Sequence, residues 1–275
     1  MGKSLEDMAE QESMRVIPDV LRVDGFMTMA MHEFLTTLNV PALMISHFEP
    51  STVSYGKFVD WNSLPEECKT GKTPSVRRKS GGEILMHDSS DVTYAIAGVP
   101  NTGLVALGWL MDGLDKLGIS TRVNRGTSIF VRGHDGYRKI AGSARYKAVN
   151  RKILMHGSLF YDRPDFSLME RIYRVSQAEL QKNITYVREH TDASLQTVYQ
   201  ALRDGFSQGR RYHMQPFTDQ EMAVIKELAL EYASEAHARG SGLLHTGQPC
   251  VTTLLRDHKK HVLPDSLRGR TIYDE

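Results

Sequence analysis

The chain has 275 residues, of which 40% are hydrophobic and 24% are charged, and its formal net charge is +1. These are ordinary values for a globular protein, so the length predicts one large domain or a large domain with a small one. The small net charge gives no reason to expect nucleic-acid binding by the molecule as a whole, and any electropositive site must be local. Cys68 and Cys250 are too few for a disulfide framework or a cysteine-based zinc site, and they favour a reducing compartment.

The N-terminal segment, residues 1–18, is predicted to be mobile, because its first fifteen residues are polar and acidic and lack the apolar core of a signal peptide. It begins Met-Gly, but Glu6 stands where the N-myristoylation pattern requires serine or threonine. No run approaches eighteen consecutive apolar residues, so no membrane span is expected. The sequence therefore predicts a cytoplasmic protein with neither a membrane nor a nucleic acid as partner.

The first half of the chain combines short helices and strands. Apolar residues at helical spacing predict a helix over 26–38, which the segment ending in Pro41 terminates. The segments that follow are rich in β-branched and aromatic residues and are separated by turn residues. They predict strands over 42–48, 52–58 and 91–99, with a short helix and a loop over 60–74.

The middle of the chain is predicted to hold one amphipathic helix and a β-hairpin. The helix covers 102–118, ends at Gly118, and carries five apolar residues on one side: Leu104, Leu107, Met111, Leu114 and Leu117. The turn at 134–136 contains Asp-Gly, which favours a hairpin between strands 127–133 and 137–146. A further strand is predicted over 153–162.

From Asp165 onward the chain is predicted to be helical. Residues 194–206 repeat apolar side chains at helical spacing. A helix over 218–237 begins with a capping box, in which Thr218 and Glu221 satisfy each other's backbone N–H groups. Strands followed by helices predict an α+β fold, with mixed or antiparallel sheets flanked by helices, rather than a repeating βαβ sheet.

A basic, glycine-containing segment, RRKSGGEILMHD, occupies residues 77–88. The adjacent Gly81 and Gly82 allow the backbone to approach a ligand closely, and Arg77 and Arg78 offer forked donors to a phosphate or carboxylate. His87 follows five residues after Gly82 in the strand-like run EILMH. Taken alone, the segment is equally consistent with a basic surface turn between two strands.

Two later strands carry further candidate residues. Lys139 is followed by the small residues Gly142 and Ser143, which would leave room for a ligand, although a lysine on a strand is more often a solvated edge charge. His156 interrupts an otherwise apolar strand, where a histidine is more often structural than catalytic.

Together the segments RRKSGGEILMHD, DGYRKIAGSARYK and LMHGSLFYD, in this order and spacing, resemble the lipoate–protein ligase A family over roughly residues 20–235. The resemblance implies a catalytic domain over 19–240, with a fold shared with biotin protein ligases, and a C-terminal tail over 241–275. It also implies the chemistry: lipoate and ATP, with Mg²⁺, give lipoyl-AMP and pyrophosphate. The lipoyl group then passes to a lysine of a carrier protein's lipoyl domain, such as the glycine cleavage H protein or the E2 subunit of a 2-oxoacid dehydrogenase.

The resemblance also assigns roles to residues. Lys139 would be the catalytic cation that neutralises the carboxylate and the α-phosphate. The residues implied to bind lipoyl-AMP or ATP are Arg77, Arg78, Ser80, Gly81, Gly82, His87, Thr127, Ser128, Lys139, Gly142, Ser143 and His156. Lipoate needs an apolar tunnel, for which the segments EILMH (83–87) and VTYAIAG (92–98) supply candidates that would otherwise be core.

The sequence departs from the family pattern at three points. Glu83 replaces the third glycine of the loop. Thr127 and Ser128 stand where the family has an Asn-Asp pair whose aspartate helps to hold Mg²⁺, with Asn124 as a nearby substitute. The helices up to about residue 237 are expected to end the large domain and to leave only a tail, so the resemblance is to the short, split kind of ligase, which needs a separate accessory subunit.

Two other functions stay open at this point. An octanoyl or lipoyl transferase of the same fold would use no ATP but would need a cysteine nucleophile. The cysteine expected upstream of the Lys139 strand is missing, which leaves Cys250 as the remote alternative. A non-catalytic paralogue that binds acyl groups or a carrier domain is the other. The basic tail would be a solvated end or a docking segment for an acidic carrier.

Overall fold

The computed structural model describes residues 13–18, 21–99, 102–123, 127–148 and 150–240. Residues 1–12, Asn124 and the predicted tail 241–275 with Cys250 lie outside the described residues. The helices are α1 (Gly25–Phe34), α2 (Glu66–Lys69), α3 (Thr102–Asp115), α4 (Phe166–Tyr173), α5 (Gln177–Asn183), α6 (Leu195–Ser207), α7 (Asp219–Ala233) and α8 (Glu235–Arg239). Short 3₁₀ turns occur at Leu35–Thr37, Trp61–Ser63 and Val187–Glu189.

The strands of the described ranges are β1 (Met14–Val16), β2 (Leu21–Val23), β3 (Ala42–Phe48), β4 (Thr52–Tyr55), β5 (Ser75–Arg77), β6 (Ile84–His87), β7 (Asp91–Ala97), β8 (Thr121–Val123), β9 (Ser128–Gly133), β10 (Gly136–Lys147), β11 (Ile153–Phe160) and β12 (Tyr212–Met214). The large sheet has the order β12-β1-β3-β7-β11-β10-β9-β8, and β2 also pairs with β3. The small sheet has the order β5-β4-β6.

The large sheet is mixed, and its two faces are covered differently. In the part of the sheet with the order β3-β7-β11-β10-β9-β8, each strand is antiparallel to its neighbours. The strands β1, β2 and β12 are parallel to their neighbours and lie at one side of the sheet. One face packs against α3 and α6 through side chains such as Leu110 and Leu202. The opposite face packs against α1 and α7, and against the small sheet with α4 and α5. The predicted α+β class is confirmed.

Most predicted elements are found close to their predicted bounds. Strand 42–48 is observed unchanged, and the hairpin turn lies at 134–135 as predicted. The predicted strand 52–58 was too long, because the chain turns at 57–58. The helix predicted over 218–237 divides at Ser234, whose extended backbone ends α7 and whose side chain caps α8. Its capping box is confirmed.

The N-terminal prediction was wrong for residues 14–16. They form β1, a strand buried between β12 and β3, with Met14 and Val16 in the core. A three-residue strand is too short for sequence periodicity to reveal. The prediction that the chain is only helical after Asp165 was also wrong, since β12 is the partner of β1.

The buried Arg15 of β1 also fixes the start of α7. Its guanidinium forms two hydrogen bonds with the carboxylate of Glu221, at 2.7 and 2.8 Å, and contacts the carbonyl of Gln215 at 3.2 Å. The Arg15 hydrogen bond lowers the pKa of Glu221 to about 2, from an ordinary value of 4.5. The ion pair therefore ties the C-terminal helices to the N-terminal strand.

This ion pair predicts an acid-dependent loss of stability. Because the pKa of Glu221 is depressed in the folded state, its contribution is complete above pH 4.5 and is lost as the pH falls towards 2. We expect the variant Glu221→Gln to be less stable than the native chain at pH 6 and the difference to shrink with acidification. Urea unfolding at pH 6 and pH 3 measures this. An equal difference at both pH values would contradict it.

In the described part of the chain, no helix is both long enough and apolar enough to cross a membrane.

Candidate active site

A narrow pocket lies between the small sheet and the centre of the large sheet. Its cavity is small, about 20 Å³, and is partly open to solvent. Apolar side chains from α1, β3 and β6 line one part, and polar groups from the loop after β5 and from β10 and β11 line the rest. The lining residues are Met29, Phe48, Ser54, Arg78, Leu85, His87, Thr93, Gly142, Ser143, Ala144, His156 and Gly157.

The basic segment forms the loop between β5 and β6, the two strands that flank β4. Arg78 turns inward and is buried. Its guanidinium donates to the Ser54 hydroxyl at 2.7 Å and to the carbonyl of Glu83 at 2.8 Å. Gly82 adopts a φ of 98°, in the left-handed region that favours glycine. The loop therefore places the positively charged Arg78 side chain in the wall of the pocket.

The residues on either side of Arg78 point to the C-terminal helices instead. Arg77 donates to the carbonyls of Ala238 and Arg239, both at 2.9 Å, and not to the pocket. Lys79 forms ion pairs with Glu33 at 2.8 Å and with Glu231 at 3.2 Å. Arg77, predicted as a ligand-binding residue, therefore anchors α8 to the loop in this structure.

Lys79 is held as a charged group. Burial lowers the pKa of Lys79, but the hydrogen bonds and charges of Glu33 and Glu231 outweigh burial and raise the pKa above its ordinary value. Tyr232 of α7 also donates to Glu33, at 3.0 Å. The loop is thus fixed to both α1 and α7 by charged side chains.

Lys139 lies on β10 at a β-bulge, where Ile140 and Ala141 together oppose Ile129 of β9. Ile140 and Ala141 both enter the core beneath α3, and Lys139 faces the opposite side. A bulge re-aims the neighbouring side chains, which explains this placement. Lys139 is only 5% exposed, and its Nζ and Cε would lie 3.3 and 3.2 Å from a Cβ atom on Gly142. The lysine is therefore not a solvated edge charge.

Thr127 and Ser128 lie beside this lysine strand. Ser128 pairs with Gly142, and the carbonyl of Thr127 accepts from the Ser143 N–H at 2.8 Å. Both could offer only hydroxyl or carbonyl oxygens to a cation. Among the described residues, no group of His, Cys, Asp and Glu is arranged to hold a metal ion. Thr127 and Ser128 therefore supply no carboxylate ligand for Mg²⁺.

Two buried histidines meet at the base of the loop. His156 contacts Ser80 Oγ through Nε2 at 2.7 Å and His32 through Nδ1 at 3.2 Å. Burial lowers the pKa of His156 well below its usual value, and His32, Arg78 and His87 lower it further. Burial also lowers the pKa of His32 to about 3. Both rings are therefore neutral, and they position Ser80.

His87 is part of a second buried hydrogen-bond chain. Its Nδ1 lies 2.9 Å from Asp91 Oδ2, and its Nε2 lies 2.7 Å from Ser54 Oγ. The ring stacks on Phe48, with 4.2 Å between centroids. Asp91, His87, Ser54 and Arg78 thus form one continuous chain that reaches the pocket.

Gly157 and Tyr94 explain how closely the central strands approach each other. A Cβ atom on Gly157 would lie 2.1 Å from the Gly142 carbonyl oxygen and 2.5 Å from the Tyr94 hydroxyl. Tyr94 is also hydrogen-bonded to Ser143 Oγ at 2.9 Å. These contacts fix the pocket wall that carries Gly142 and Ser143.

Of the predicted tunnel segments, only alternate residues reach the pocket. Leu85 and Thr93 line it, whereas Ile84 and Met86 enter the core beneath the small sheet and Val92 enters the core beneath α3. This is the two-residue period of a strand. Cys68 lies elsewhere, buried beneath the small sheet, and burial raises the pKa of its thiol to about 12. It is therefore unsuited to act as a nucleophile.

A larger cavity of about 380 Å³, open to solvent, lies at the β8–β10 edge of the large sheet. Arg122, Arg132, Tyr137 and His190 contribute to its lining. None of the residues predicted to form the ligand site contributes to it.

Comparison with known proteins identifies the class. The chain belongs to the family of the lipoyl protein ligase A/B catalytic domain, which matches residues 24–207. It is therefore an enzyme of the lipoate–protein ligase and transferase family, and the predicted resemblance is confirmed.

Particular relatives include both activities of this family. The octanoyltransferase LipM of Halalkalibacterium halodurans is 26% identical over 235 residues, which cover 70% of this chain and 84% of LipM. A lipoate–protein ligase A of Blochmanniella floridana is 30% identical over 101 residues, covering 34% of this chain and 30% of that protein.

Solved structures confirm the fold. The bi-partite lipoate protein ligase of Thermoplasma acidophilum, studied with its E2 lipoyl domain, superimposes with a TM-score of 0.71 at 19% identity. It covers 85% of this chain and 98% of that chain. A lipoate–protein ligase A bound with ATP gives a TM-score of 0.69 at 20% identity, covering 83% and 99%. P. falciparum LipL1 in complex with lipoate gives 0.65 at 15%, covering 83% and 74%.

The structure brings most predicted site residues to one place. Arg78, His87, Gly142, Ser143 and His156 line the pocket, and Ser80, Gly81, Gly82, Thr127, Ser128 and Lys139 adjoin these residues or contact them directly. Sequence reasoning missed Ser54, His32 and Asp91. A hydroxyl side chain between Val53 and Tyr55 in the strand TVSY was the available signal for Ser54.

Proposed function

We propose that the chain activates lipoate with ATP to lipoyl-AMP and transfers the lipoyl group to a lysine of a carrier protein's lipoyl domain. The observation that carries this proposal is the placement of Lys139. Its ammonium group lies against Gly142, a residue that lines the pocket together with Arg78. A buried lysine beside the pocket and an arginine in its wall, with apolar side chains nearby, fit a carboxylate and a phosphate at the end of an aliphatic chain.

In the first step, the lipoate carboxylate attacks the α-phosphorus of ATP and pyrophosphate leaves. Lys139 stabilises the negative charge that develops on the phosphoryl oxygens, and Arg78, held by Ser54 and Glu83, adds positive charge. The aliphatic chain lies against Met29, Phe48 and Leu85. In the second step, the carrier lysine attacks the acyl carbon and AMP leaves.

Among the described residues, no group of three or more His, Cys, Asp and Glu side chains could hold Mg²⁺. It would enter with ATP, bound by phosphate oxygens and water, and no step is assigned to it here. The carrier is proposed to be a lipoyl domain, as in the Thermoplasma ligase studied with its E2 lipoyl domain. Since that ligase is bi-partite, we propose that this chain also works with a separate accessory subunit.

Two assays test the proposal with the purified full-length chain. The first measures pyrophosphate release from ATP, Mg²⁺ and lipoate. The second supplies lipoyl-AMP and a lipoyl domain, and measures the mass gained by that domain, with a domain whose acceptor lysine is arginine as control. Release establishes autonomous adenylation. Transfer without release establishes dependence on an accessory subunit, and failure of both assays contradicts the proposal.

A further inference from the structure

The strand β8 forms one edge of the large sheet. Among the described residues its backbone pairs with β9 alone, so the other side of Thr121–Val123 is open to a further strand. All three residues of β8 are partly exposed. An unpaired edge strand presents N–H and C=O groups to an extended segment that can lie beside it. This edge is therefore a candidate surface for pairing with another protein.

The edge carries positive charge. Arg122 lies on β8 and Arg132 on β9, and neither forms an ion pair with an Asp or Glu among the described residues. The guanidinium carbon of Arg122 lies 3.0 Å from the centroid of the Tyr137 ring, which holds the group in place without neutralising it. Residues 121–160 contain nine lysines and arginines and a single acidic residue, Asp135, although the formal net charge of the chain is only +1.

The cavity at this edge suits acidic side chains. Arg122 and Arg132 line it together with Thr121 and Tyr137, and its volume is about 380 Å³. An acidic side chain of an added strand would enter the cavity and meet both guanidinium groups, which bind carboxylates through paired N–H donors. The edge therefore favours an acidic segment over a neutral or basic one.

The register of the sheet places this edge on the same face as Lys139. Arg122 lies opposite Phe130 of β9, and Phe130 lies opposite Lys139 of β10. Residues directly opposite each other on antiparallel strands share one face of the sheet. At about 4.8 Å between neighbouring strands, β8 lies two strand spacings from the Lys139 backbone. A protein docked on β8 would therefore stand beside the face on which Lys139 is placed.

We propose that β8 is the docking strand for the carrier protein, which adds an acidic extended segment to this edge and presents its acceptor lysine towards Lys139. The inference rests on the proposed function, because that function requires a partner that brings a lysine to the pocket. Main-chain hydrogen bonds supply affinity, and Arg122 and Arg132 select for acidic side chains. Pairing with a second copy of this chain is disfavoured, because the arginines of both copies would meet at one seam.

The first test measures binding without acyl transfer. The full-length chain is titrated calorimetrically with an E2 lipoyl domain of net negative charge whose acceptor lysine is arginine. We expect Arg122→Glu and Arg132→Glu each to raise the Kd by about 10-fold, because the new carboxylate repels the acidic segment. Lys226→Glu makes the same charge change at an exposed position of α7 and should bind like the native chain. Added salt should weaken native binding.

Hydrogen–deuterium exchange separates strand pairing from electrostatic attraction alone. Amides of peptides that cover residues 119–123 should exchange at least about 10-fold more slowly in the complex, because pairing protects the open edge. Peptides of α7 should exchange as in the free chain. Unchanged exchange at 119–123 in the complex would overturn the proposal, and so would native binding by both arginine variants. A native dimer that these variants dissociate would overturn it as well and assign the edge to a second copy.

The docking strand and the proposed function fail separately. Equal transfer from lipoyl-AMP to an unmodified lipoyl domain by the native chain and by both arginine variants, at domain concentrations below the Kd, refutes the docking strand alone. Binding that depends on Arg122 and Arg132, with neither transfer nor pyrophosphate release, supports the docking strand and refutes the proposed function. A native chain that neither binds the domain nor modifies it refutes both.

Discussion

Replacing Lys139 by alanine is expected to reduce ATP-dependent pyrophosphate release by about 10³-fold, the scale of losing one preorganised charge at a transition state. Lys139 is buried beside Gly142, and its backbone carbonyl accepts from Thr185 N–H at 2.9 Å. The main chain of the variant stays anchored, so the fold should persist. Single-turnover pyrophosphate release, with circular dichroism as a check on folding, measures the effect.

Two further variants separate charge from packing. Lys139→Met keeps most of the buried aliphatic chain and should be as inactive as Lys139→Ala, because only the charge is missing. Gly142→Ala keeps the charge but places a methyl group 3.2 Å from Lys139 Cε, and it should reduce release by about 10²-fold through displacement of the ammonium group. Substantial activity in Lys139→Met would exclude Lys139 as the catalytic cation.

Replacing Gly157 by alanine is expected to lower the free energy of unfolding by about 3 kcal/mol, at the upper end of the usual cost of overpacking. The added Cβ atom would lie 2.1 Å from the carbonyl oxygen of Gly142, which is backbone and cannot rotate away. It would also meet the fully buried Tyr94. The strands β10 and β11 must separate, or the sheet must distort. Urea unfolding of the native chain and the variant measures the difference.

Gly108 provides the matched control for this substitution. It lies inside α3, and a Cβ atom there would meet nothing within 4 Å. Gly108→Ala should therefore stabilise the chain by about 0.8 kcal/mol, because alanine favours a helix over glycine. If Gly157→Ala unfolds at the same urea concentration as the native chain, the close approach of the two strands is not as described.

The local elements were largely predictable because they depend on residues close together in the chain. The capping box of α7 needs only Thr218 and Glu221, three residues apart, and it was found as predicted. The hairpin at 134–135 follows from its Asp-Gly turn. The strand β1 was missed, because it has three residues and its partner β12 lies about two hundred positions later.

Many of the residues of the site could be predicted from the sequence, but the direction in which neighbouring side chains point could not. The resemblance of three motifs to the lipoate–protein ligase A family implied that the basic loop, Lys139 and His156 belong to one site. Sequence alone could not show that Arg78 faces the pocket while Arg77 and Lys79 hold the C-terminal helices, since their partners lie up to 162 positions away. Successive side chains of an extended segment point to opposite sides, and the surrounding fold decides what each side meets.

The sequence by itself determined the family, the α+β class and part of the pocket lining, including Arg78, His87 and His156, because these depend on motifs and on local periodicity. The tertiary structure alone decided that Lys139 is buried rather than solvated, and that Ser54, His87 and Asp91 form one hydrogen-bonded chain with Arg78. The physical reason is that burial and hydrogen-bond partnership arise from packing between a β-bulge, a small sheet and helices distant in the chain.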